Sequence, residues 1–398
     1  MNQVSKPVSV DYFPAIDLLR GFAAISVVVY HFIEHYQWKA FPVEGWLTWF
    51  RIGWMGVDLF FVISGFVIAL AVFSNIDKYG PQRFRLRFMR KRFVRIAPLH
   101  YLTLVVFVLF ITPELLYQNF FVNFAAHLAF VHNLNFGLHG AINGANWSIA
   151  TEMQFYILVT LTAPWLMSVK PWKLAIAFFG IAWAWRYGVT MLIPFDSANG
   201  TFRIFIAATQ LPGMLDEFAV GILLARLVRS ELPRKFGKYL TNNLVFVASA
   251  AIAAIALSSM LTCFWHYATF WEYPMMVVLF RSAIGISFAC VVFAAISVQL
   301  PGMAWKILLP VTWLGTISYG IYLWHLPVLL SLQRVSGLTA ERALPMGLVI
   351  TVLLAAASWY LFEKPVLRRF GSLSSDDGAS SVTKTPGGSV STGVTNSM

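Results

Sequence analysis

Residues 56–73 have the sequence GVDLFFVISGFVIALAVF. The stretch is almost entirely apolar and holds a single ionisable side chain, that of Asp58. An apolar run of about 18 residues or more predicts a helix that crosses a lipid bilayer. The whole chain shares this bias: of 398 residues, 59% are hydrophobic and 12% are charged, and the mean hydropathy is +0.70. Soluble domains average about 25% charged residues, so the composition excludes both a water-soluble globule and a disordered chain.

Hydropathy on either side of this stretch predicts an all-α, polytopic bundle of about ten transmembrane helices. The predicted spans are 16–37, 53–74, 97–112, 147–167, 172–193, 204–228, 244–263, 275–299, 308–331 and 344–363. The half-apolar stretch 119–136 carries several Asn and His residues, which predicts an interfacial or re-entrant element. We expect a cytoplasmic lead over 1–11, a membrane domain over 12–370 and a disordered cytoplasmic tail over 371–398, which is rich in Ser, Gly and Thr.

The distribution of Lys and Arg predicts how these spans are oriented, because cytoplasmic loops of membrane proteins are enriched in both residues. With the N-terminus inside, 22 of the 29 basic residues fall in cytoplasmic segments and five fall in outer loops. The remaining two, Arg186 and Arg281, lie within predicted spans. This pattern predicts a multi-pass protein of the cell (inner) membrane with both termini in the cytoplasm.

Several ionisable side chains lie within the predicted spans, where a charge is costly unless it faces a polar interior. At a rise of 1.5 Å per residue, six of them fall about 7–11 Å below the outer surface. These six come from six different predicted helices: His31, Asp58, Glu152, Arg186, Arg281 and His325. Their common depth predicts a buried polar chamber that opens outwards, whereas Asp216 and Glu217 are expected deeper. For any one residue the alternative is a structural role, since polar side chains often bond neighbouring helices.

Arg20 and His31 are predicted to share one face of the first helix. Their spacing of eleven residues corresponds to about three turns and about 16 Å along the axis. Imidazole exchanges protons near neutral pH, so His31 is a candidate general acid–base group. Two alternatives remain open: Arg20 as an anchor at the helix end, and His31 as a hydrogen-bonded structural histidine.

A dense basic segment, residues 83–95, includes Arg90, Lys91, Arg92 and Arg95. It is suited either to anionic lipid headgroups or to the phosphates of a nucleotide-like ligand. Nucleic-acid binding is not predicted, because these residues alternate with apolar ones and no recognition motif is present.

No metal or cofactor site is predicted from the remaining polar residues. His127, His132 and His139 are unevenly spaced for metal ligation, and Cys263 and Cys290 lie in apolar stretches. The sequence also lacks a phosphate-binding glycine loop and a nucleophile elbow.

Several separated motifs resemble those of the acyltransferase-3 family, integral-membrane enzymes that acylate sugars and other hydroxyl-bearing acceptors. The resemblance covers roughly residues 12–370, and the order and spacing of its motifs are specific. The motifs are 16–24 (IDLLRGFAA) leading to His31 in an Arg-x10-His pattern, 56–66 (GVDLFFVISGF), 91–98 (KRFVRIAP), 146–148 (NWS) with Glu152, Phe155 and Tyr156, 318–327 (SYGIYLWHLP) and 362–365 (FEKP). His100 departs from the pattern, since an aromatic residue is more usual there. No extracytoplasmic esterase domain follows the last predicted span, so we expect a stand-alone member.

The resemblance implies an acyl-CoA donor, acetyl-CoA above all, that binds from the cytoplasm, and an acceptor hydroxyl at the outer side. The phosphates of CoA are expected at Arg20, Arg90, Lys91, Arg92 and Arg95. The pantetheine arm would then pass between the helices and bring its thioester into the polar chamber.

In this chamber His31 is the candidate general base, which takes the proton of the acceptor hydroxyl as its oxygen attacks the thioester carbonyl. Glu152 or Asp58 is expected to orient the imidazole. Arg281, Arg186 or His325 is expected to stabilise the oxyanion. An acyl-histidine intermediate is a second route.

The acceptor expected first is a sugar of a cell-surface or exported polysaccharide. Peptidoglycan and a small secondary metabolite of the macrolide kind are alternatives. A different class is a proton-coupled secondary transporter, which also places charged groups near the middle of the membrane. The sequence contains no inverted repeat in support of transport, and a scaffold or receptor leaves the charges within the spans unexplained.

Overall fold

The computed structural model describes residues 13–229, 243–266, 270–297 and 302–371, and every regular element within them is helical. The all-α prediction is therefore confirmed for these residues. The predicted lead 1–11 and, apart from Gly371, the predicted tail 371–398 lie outside the described residues. The helices are α1 (Pro14–His35), α2 (Gly56–Val106), α3 (Phe120–Leu128), α4 (Trp147–Ser168), α5 (Pro171–Leu192), α6 (Gly200–Ala208), α7 (Leu211–Arg229), α8 (Asn243–His266), α9 (Pro274–Ser297), α10 (Gly302–Thr316), α11 (Ser318–Gln333), α12 (Ala340–Ser358) and α13 (Lys364–Phe370).

Among the described residues, six helices are long and apolar enough to cross a membrane, or seven if α10 and α11 form one bent span. The prediction of about ten spans is therefore not confirmed. The predicted span 147–167 is the helix α4, which has sufficient length but is not among these apolar helices. The predicted span 204–228 is interrupted between α6 and α7, and in 244–263 the described apolar helix is the short segment Val247–Leu257.

Two of these spans, Trp46–Ile76 and Gly80–Ile111, overlap α2 and meet at a kink within it. Gly80 has φ 73° and ψ 164°, which lies outside the helical region, and Pro81 follows it. Proline disfavours the helical conformation of the preceding residue, and glycine tolerates a positive φ. The Gly-Pro pair therefore explains the kink at residue 80. The two spans on either side of it follow each other almost without a gap.

A second break lies between α10 and α11, whose axes are bent by 60° at Ile317. The bend turns α11 into the interior of the bundle, where Ser318, Tyr322 and His325 are all buried. α1 packs next to it and contacts α2, α9, α10, α11 and α12. His31 and His325 are therefore carried by two neighbouring helices at the centre of the bundle.

Two glycines permit an unusually close approach of α2 and α7. A Cβ atom on Gly65 would lie 2.2 Å from the carbonyl oxygen of Phe218, and one on Gly221 would lie 2.2 Å from that of Val62. Small residues of this kind let helix backbones pack closely within a membrane. The crossing brings Asp58 of α2 and Glu217 of α7 to the same guanidinium group, that of Arg281, which is described below.

Candidate active site

Two cavities lie next to each other inside the bundle. The larger one, which we call the His31 cavity, has a volume of about 750 Å³. Its walls include His31, Asp58, His139, Trp147, Arg281 and Tyr322. The smaller one, which we call the Arg92 cavity, has a volume of about 120 Å³. Its walls include Arg20, Ser64, Arg92, Glu152, Tyr156 and Tyr322.

Val57 and Tyr322 line both cavities and form the wall between them. The Tyr322 hydroxyl donates to the carbonyl oxygen of Ala145 at 2.7 Å and lies 2.6 Å from Ser148 Oγ. These two hydrogen bonds hold the ring across the boundary. An extended ligand that passes this wall would occupy both cavities.

His31 presents one ring nitrogen to the His31 cavity. Its Nδ1 donates to the carbonyl oxygen of Val27 at 2.8 Å, one helical turn earlier. A carbonyl oxygen only accepts hydrogen bonds, so Nδ1 carries the hydrogen and Nε2 of the neutral ring carries the lone pair. The His325 ring centroid lies 4.8 Å from that of His31. This tautomer is the one that a general base requires, and the backbone, instead of a carboxylate, orients it.

Asp58 and Arg281 meet on the wall of the His31 cavity as a buried ion pair between α2 and α9. Glu217 of α7 is also buried, with Oε1 4.0 Å from Arg281 Nη1. The guanidinium carbon of Arg281 lies 5.3 Å from the ring centroid of Trp54, a cation–π contact. One guanidinium therefore faces two carboxylates and stays in contact with the cavity.

Arg186 lies in a separate buried cluster and is absent from the walls of both cavities. It forms an ion pair with Asp216 and lies 3.2 Å from Ser282 Oγ, which in turn donates to Asp216 at 2.5 Å. Trp183 Nε1 donates to the same Ser282 oxygen at 2.8 Å. The cluster joins α5, α7 and α9. Its member Ser282 directly follows Arg281 on α9.

Glu152 lies in the Arg92 cavity and not beside His31. Its Oε1 accepts hydrogen bonds from Ser64 Oγ at 2.9 Å and from the Tyr156 hydroxyl. The guanidinium carbon of Arg92 lies 5.7 Å from the centroid of the Tyr156 ring. The six ionisable residues predicted for one chamber are thus separated. His31, Asp58 and Arg281 line the His31 cavity, Glu152 lines the Arg92 cavity and Arg186 lies in its own cluster, whereas His325 is buried beside His31 and lines neither cavity.

The predicted CoA-binding cations also occupy different places. Arg20 and Arg92 line the Arg92 cavity. Arg95 is paired with Glu363 at 2.9 Å and lies over the rings of Tyr319 and Trp359. Of the other two, Arg90 Nε donates to the Phe370 carbonyl oxygen at 3.0 Å, and Lys91 is exposed.

Two site residues were not singled out from the sequence. Tyr322 divides the cavities, and Ser64 bonds to Glu152. The sequence did contain a pattern that indicates Tyr322: the polar residues Ser318, Tyr322 and His325 are spaced by four and three positions, which places them on one face of α11. Ser64 had no such periodic partner.

The histidines of the segment after α2 form a neutral polar cluster. The His127 and His132 rings are stacked, with centroids 3.9 Å apart. Burial lowers the pKa of His127 to about 4 and that of His132 to about 2, so both rings are neutral near pH 7 and stack without repulsion. Across the described ranges, no group of three or more metal-ligating side chains is close enough to hold an ion.

The fold and the site define a multi-pass, helical membrane protein that places a histidine base candidate and an arginine in one cavity, next to a second, cationic one. The chain belongs to the acyltransferase-3 family: the family profile, described as an acyltransferase domain, matches residues 13–363.

Two curated relatives are similar along most of the chain. A peptidoglycan O-acetyltransferase of Listeria monocytogenes is 26% identical over 383 residues, which cover 89% of this chain and 56% of the relative. An O-acetyltransferase of Staphylococcus aureus is 27% identical over 389 residues, which cover 92% of this chain and 59% of the relative. The chain thus spans little more than half the length of these relatives. No solved structure matches it.

Proposed function

We propose that the protein transfers an acetyl group from acetyl-CoA to a sugar hydroxyl of peptidoglycan or a similar cell-wall polysaccharide. The observation that carries this proposal is the pair of adjoining cavities, one with two arginines and the other with a histidine whose Nε2 is free to accept a proton. A donor with an anionic end and a reactive end fits this division.

The Arg92 cavity supports the donor half of the proposal. Arg20 and Arg92 present guanidinium groups, which bind phosphate oxygens with charge-assisted hydrogen bonds. The Nε atom of Arg92 is buried and has no hydrogen-bond partner among the described residues, so it is available to a ligand. Arg95 and Arg90 have a different role here: their bonds to Glu363 and Phe370 hold the ends of the bundle together.

The His31 cavity supports a carbohydrate acceptor. Trp147, Phe205 and Trp271 line it and form a chain of edge-to-face contacts, with centroid distances of 5.5 and 5.9 Å. Aromatic rings with nearby polar groups suit an amphipathic ligand such as a sugar. Glu34 and Asn199 add polar groups to the lining of the same cavity. The names of both relatives state O-acetyl transfer, and one name states peptidoglycan.

In the proposed reaction, the acceptor hydroxyl lies against His31 Nε2. His31 takes the hydroxyl proton as the oxygen forms a bond to the thioester carbonyl carbon. The oxyanion that develops is stabilised by Arg281, whose guanidinium is on the cavity wall and is balanced by Asp58 and Glu217. The carbon–sulfur bond then breaks, and the CoA thiolate recovers the proton from His31. The products are the acetyl ester and free CoA.

Neutral His325 does not suit the oxyanion role, because its Nδ1 hydrogen is bound to the Tyr322 carbonyl oxygen at 2.5 Å and its Nε2 carries a lone pair. Arg186 acts at a distance, through the Asp216 and Ser282 contacts that hold α9. Arg281 is therefore the proposed oxyanion-stabilising residue. We further propose that the Arg20 end of α1 faces the cytoplasm, which supplies acetyl-CoA.

The test is transfer of radiolabel from acetyl-CoA to soluble peptidoglycan fragments by the purified protein in proteoliposomes. Wild type should produce labelled, alkali-labile ester, and His31→Gln should lose this product while Arg342→Gln, an exposed change on α12, keeps it. Wild-type activity in His31→Gln would refute the proposed base.

Three further outcomes separate the alternatives. Transfer from a simple acetyl ester but not from acetyl-CoA would support the acetyltransferase activity and refute acetyl-CoA as the donor. Labelling of a macrolide but not of a glycan would replace the acceptor class. Uptake of a solute driven by a proton gradient in the absence of any acyl donor would favour the transporter.

A further inference from the structure

Glu152 lines the cavity that we assign to the donor, but the proposed reaction gives it no role. It shares the walls of the Arg92 cavity with Arg20 and Arg92. Ser64 Oγ donates to its Oε1 at 2.9 Å, and the Tyr156 hydroxyl donates to the same oxygen. The other oxygen, Oε2, receives no hydrogen bond from the described residues and is not enclosed by them. A carboxylate accepts hydrogen bonds at both oxygens, so Oε2 is left for a ligand in the cavity.

The helix α4 runs past both cavities and fixes the position of Glu152 along them. Trp147, at the start of α4, lines the His31 cavity. Ser148, Glu152 and Tyr156 are spaced by four residues and line the Arg92 cavity. Four residues of helix correspond to about 6 Å along the axis. Glu152 therefore lies midway in this row, about one turn from the level of Ser148 and one turn from that of Tyr156.

The two ends of this row have different neighbours. Ser148 Oγ lies 2.6 Å from the hydroxyl of Tyr322, which belongs to the wall between the cavities. At the other end, the centroid of the Tyr156 ring lies 5.7 Å from the guanidinium carbon of Arg92. The reactive end of the donor is expected at the wall and its phosphates at Arg92. The part of the donor beside Glu152 is then the arm that joins them.

The pantetheine arm of CoA carries the kind of group that a carboxylate oxygen binds. Its amide nearest the thioester is separated from the sulfur by two methylene groups, a span comparable to one helical turn. With the thioester at the wall, this amide lies at the level of Glu152. An amide N–H and a carboxylate form a charge-assisted hydrogen bond, whereas a phosphate at the same level would be repelled.

We propose that Glu152 determines donor specificity: its Oε2 accepts a hydrogen bond from the amide N–H nearest the thioester of acetyl-CoA. This proposal rests on the acyl transfer from acetyl-CoA proposed above. The bond selects a thioester with an amide in its arm over thioesters without one. It also fixes the direction of the donor, because the carboxylate keeps the phosphates at the Arg92 end of the cavity.

The substitution Glu152→Gln tests this assignment, because the two hydroxyl donors decide how the new amide is oriented. Ser64 and Tyr156 both donate to Oε1, so the amide oxygen takes that place and the amide NH2 group replaces Oε2. The variant therefore keeps the contact between α2 and α4 and replaces an acceptor in the cavity with a donor of the same shape.

The measurement is calorimetric binding to the purified protein in mild detergent of two probes, CoA and 3′-phospho-ADP, which is the same nucleotide without the pantetheine arm. We expect Glu152→Gln to weaken the binding of CoA about 10- to 100-fold, the range for loss of a hydrogen bond to a charged group. It should not weaken the binding of 3′-phospho-ADP. The matched control is Glu44→Gln, the same chemical change at an exposed position, which should bind both probes as wild type does.

Equal weakening of both probes would assign Glu152 to the phosphate site or to the fold and would overturn the proposal. Wild-type binding of CoA by Glu152→Gln would overturn it as well. In either case transfer from acetyl-CoA by the wild-type protein would leave the proposed function intact. Absence of both CoA binding and transfer in the wild type would overturn the proposed donor itself, together with this inference.

If Glu152→Gln does not fold, two small donors decide the matter with the wild-type enzyme. S-acetyl-N-acetylcysteamine carries the amide, and S-pentyl thioacetate has methylene groups in its place. We expect kcat/KM to be at least about ten times higher for the first donor. Equal values for the two donors would overturn the assignment of Glu152.

Discussion

Removal of the positive charge of Arg281 should destabilise the protein more than removal of the negative charge of Asp58. The two side chains form a buried ion pair, and Glu217 lies 4.0 Å from the same Arg281 nitrogen. The side chains of Arg281, Asp58 and Glu217 are 5%, 0% and 0% exposed, so water does not replace a lost partner. Two carboxyl groups, those of Asp58 and Glu217, share the one guanidinium of Arg281. Loss of Arg281 therefore affects both contacts, whereas loss of the Asp58 charge affects one.

The expected magnitudes follow from what each substitution leaves behind. Arg281→Gln leaves both carboxylates buried without a cation, and breaking a buried ion pair in this way costs about 3–5 kcal/mol. Asp58→Asn leaves Arg281 within 4.0 Å of Glu217 and keeps a hydrogen-bond acceptor at position 58, so we expect a cost of about 1–2 kcal/mol. The difference between the two free energies of unfolding should therefore be at least about 1 kcal/mol.

The assay is unfolding of the purified protein in mild detergent by a denaturing detergent, followed by tryptophan fluorescence. Arg342→Gln, an exposed substitution on α12, is the control and should change the free energy of unfolding by no more than about 0.5 kcal/mol. Equal costs for Arg281→Gln and Asp58→Asn, or a greater cost for Asp58→Asn, would refute the view that Glu217 acts as the second counter-ion.

Two further predictions concern stability elsewhere in the bundle. Gly65→Ala should lower the free energy of unfolding by about 1–3 kcal/mol, because its Cβ would meet the Phe218 backbone at 2.2 Å. Gly188→Ala is the comparison: its Cβ would have open space, so this change should raise the free energy of unfolding by about 0.5–1 kcal/mol. Equal effects of the two substitutions in detergent unfolding would contradict this account of the α2–α7 contact. Since burial lowers the pKa of His132 from 6.5 to about 2, the unfolded chain takes up the proton first as the pH falls, and stability should decline below about pH 6.5. Melts at pH 7, 6 and 5 should show a slope that is shallower by about 1.4 kcal/mol per pH unit in His132→Asn, and an unchanged slope would contradict the assigned burial.

The fold class follows from the sequence because span length and apolar composition are local properties. The predicted spans 16–37 and 275–299, for example, correspond to α1 and α9 within a few residues. The breaks within spans are not visible in hydropathy, because an apolar average over 18 residues does not change when one residue leaves the helical conformation. The bend at Ile317 and the interruption at residues 209–210 both have this character.

The interruption before α7 also bears on Asp216, which was expected deeper than Arg186 and pairs with it. Measured from residue 204, the start of the predicted span, Asp216 lies towards its far half. In the structure α7 begins at Leu211, so Asp216 is five residues from the helix start and about 8 Å along the axis. The ion pair places the Asp216 and Arg186 side chains at the same level of the bundle. Depth alone could not predict that Arg186 and Glu152 lie outside the His31 cavity, since it specifies height in the bundle and not the face of the helix.

The spacing of Arg20 and His31 links the sequence to the choice of donor. Arg20 lines the Arg92 cavity and His31 lines the His31 cavity, so one face of α1 reaches both cavities. Eleven residues of helix correspond to about 16 Å, and a donor that contacts both side chains must extend over most of this distance. In acetyl phosphate the phosphorus and the acyl carbon share one oxygen, so this molecule cannot reach both residues at once. A nucleotide thioester with a long flexible arm can, and for this reason the geometry of α1 favours acetyl-CoA over a small acyl phosphate.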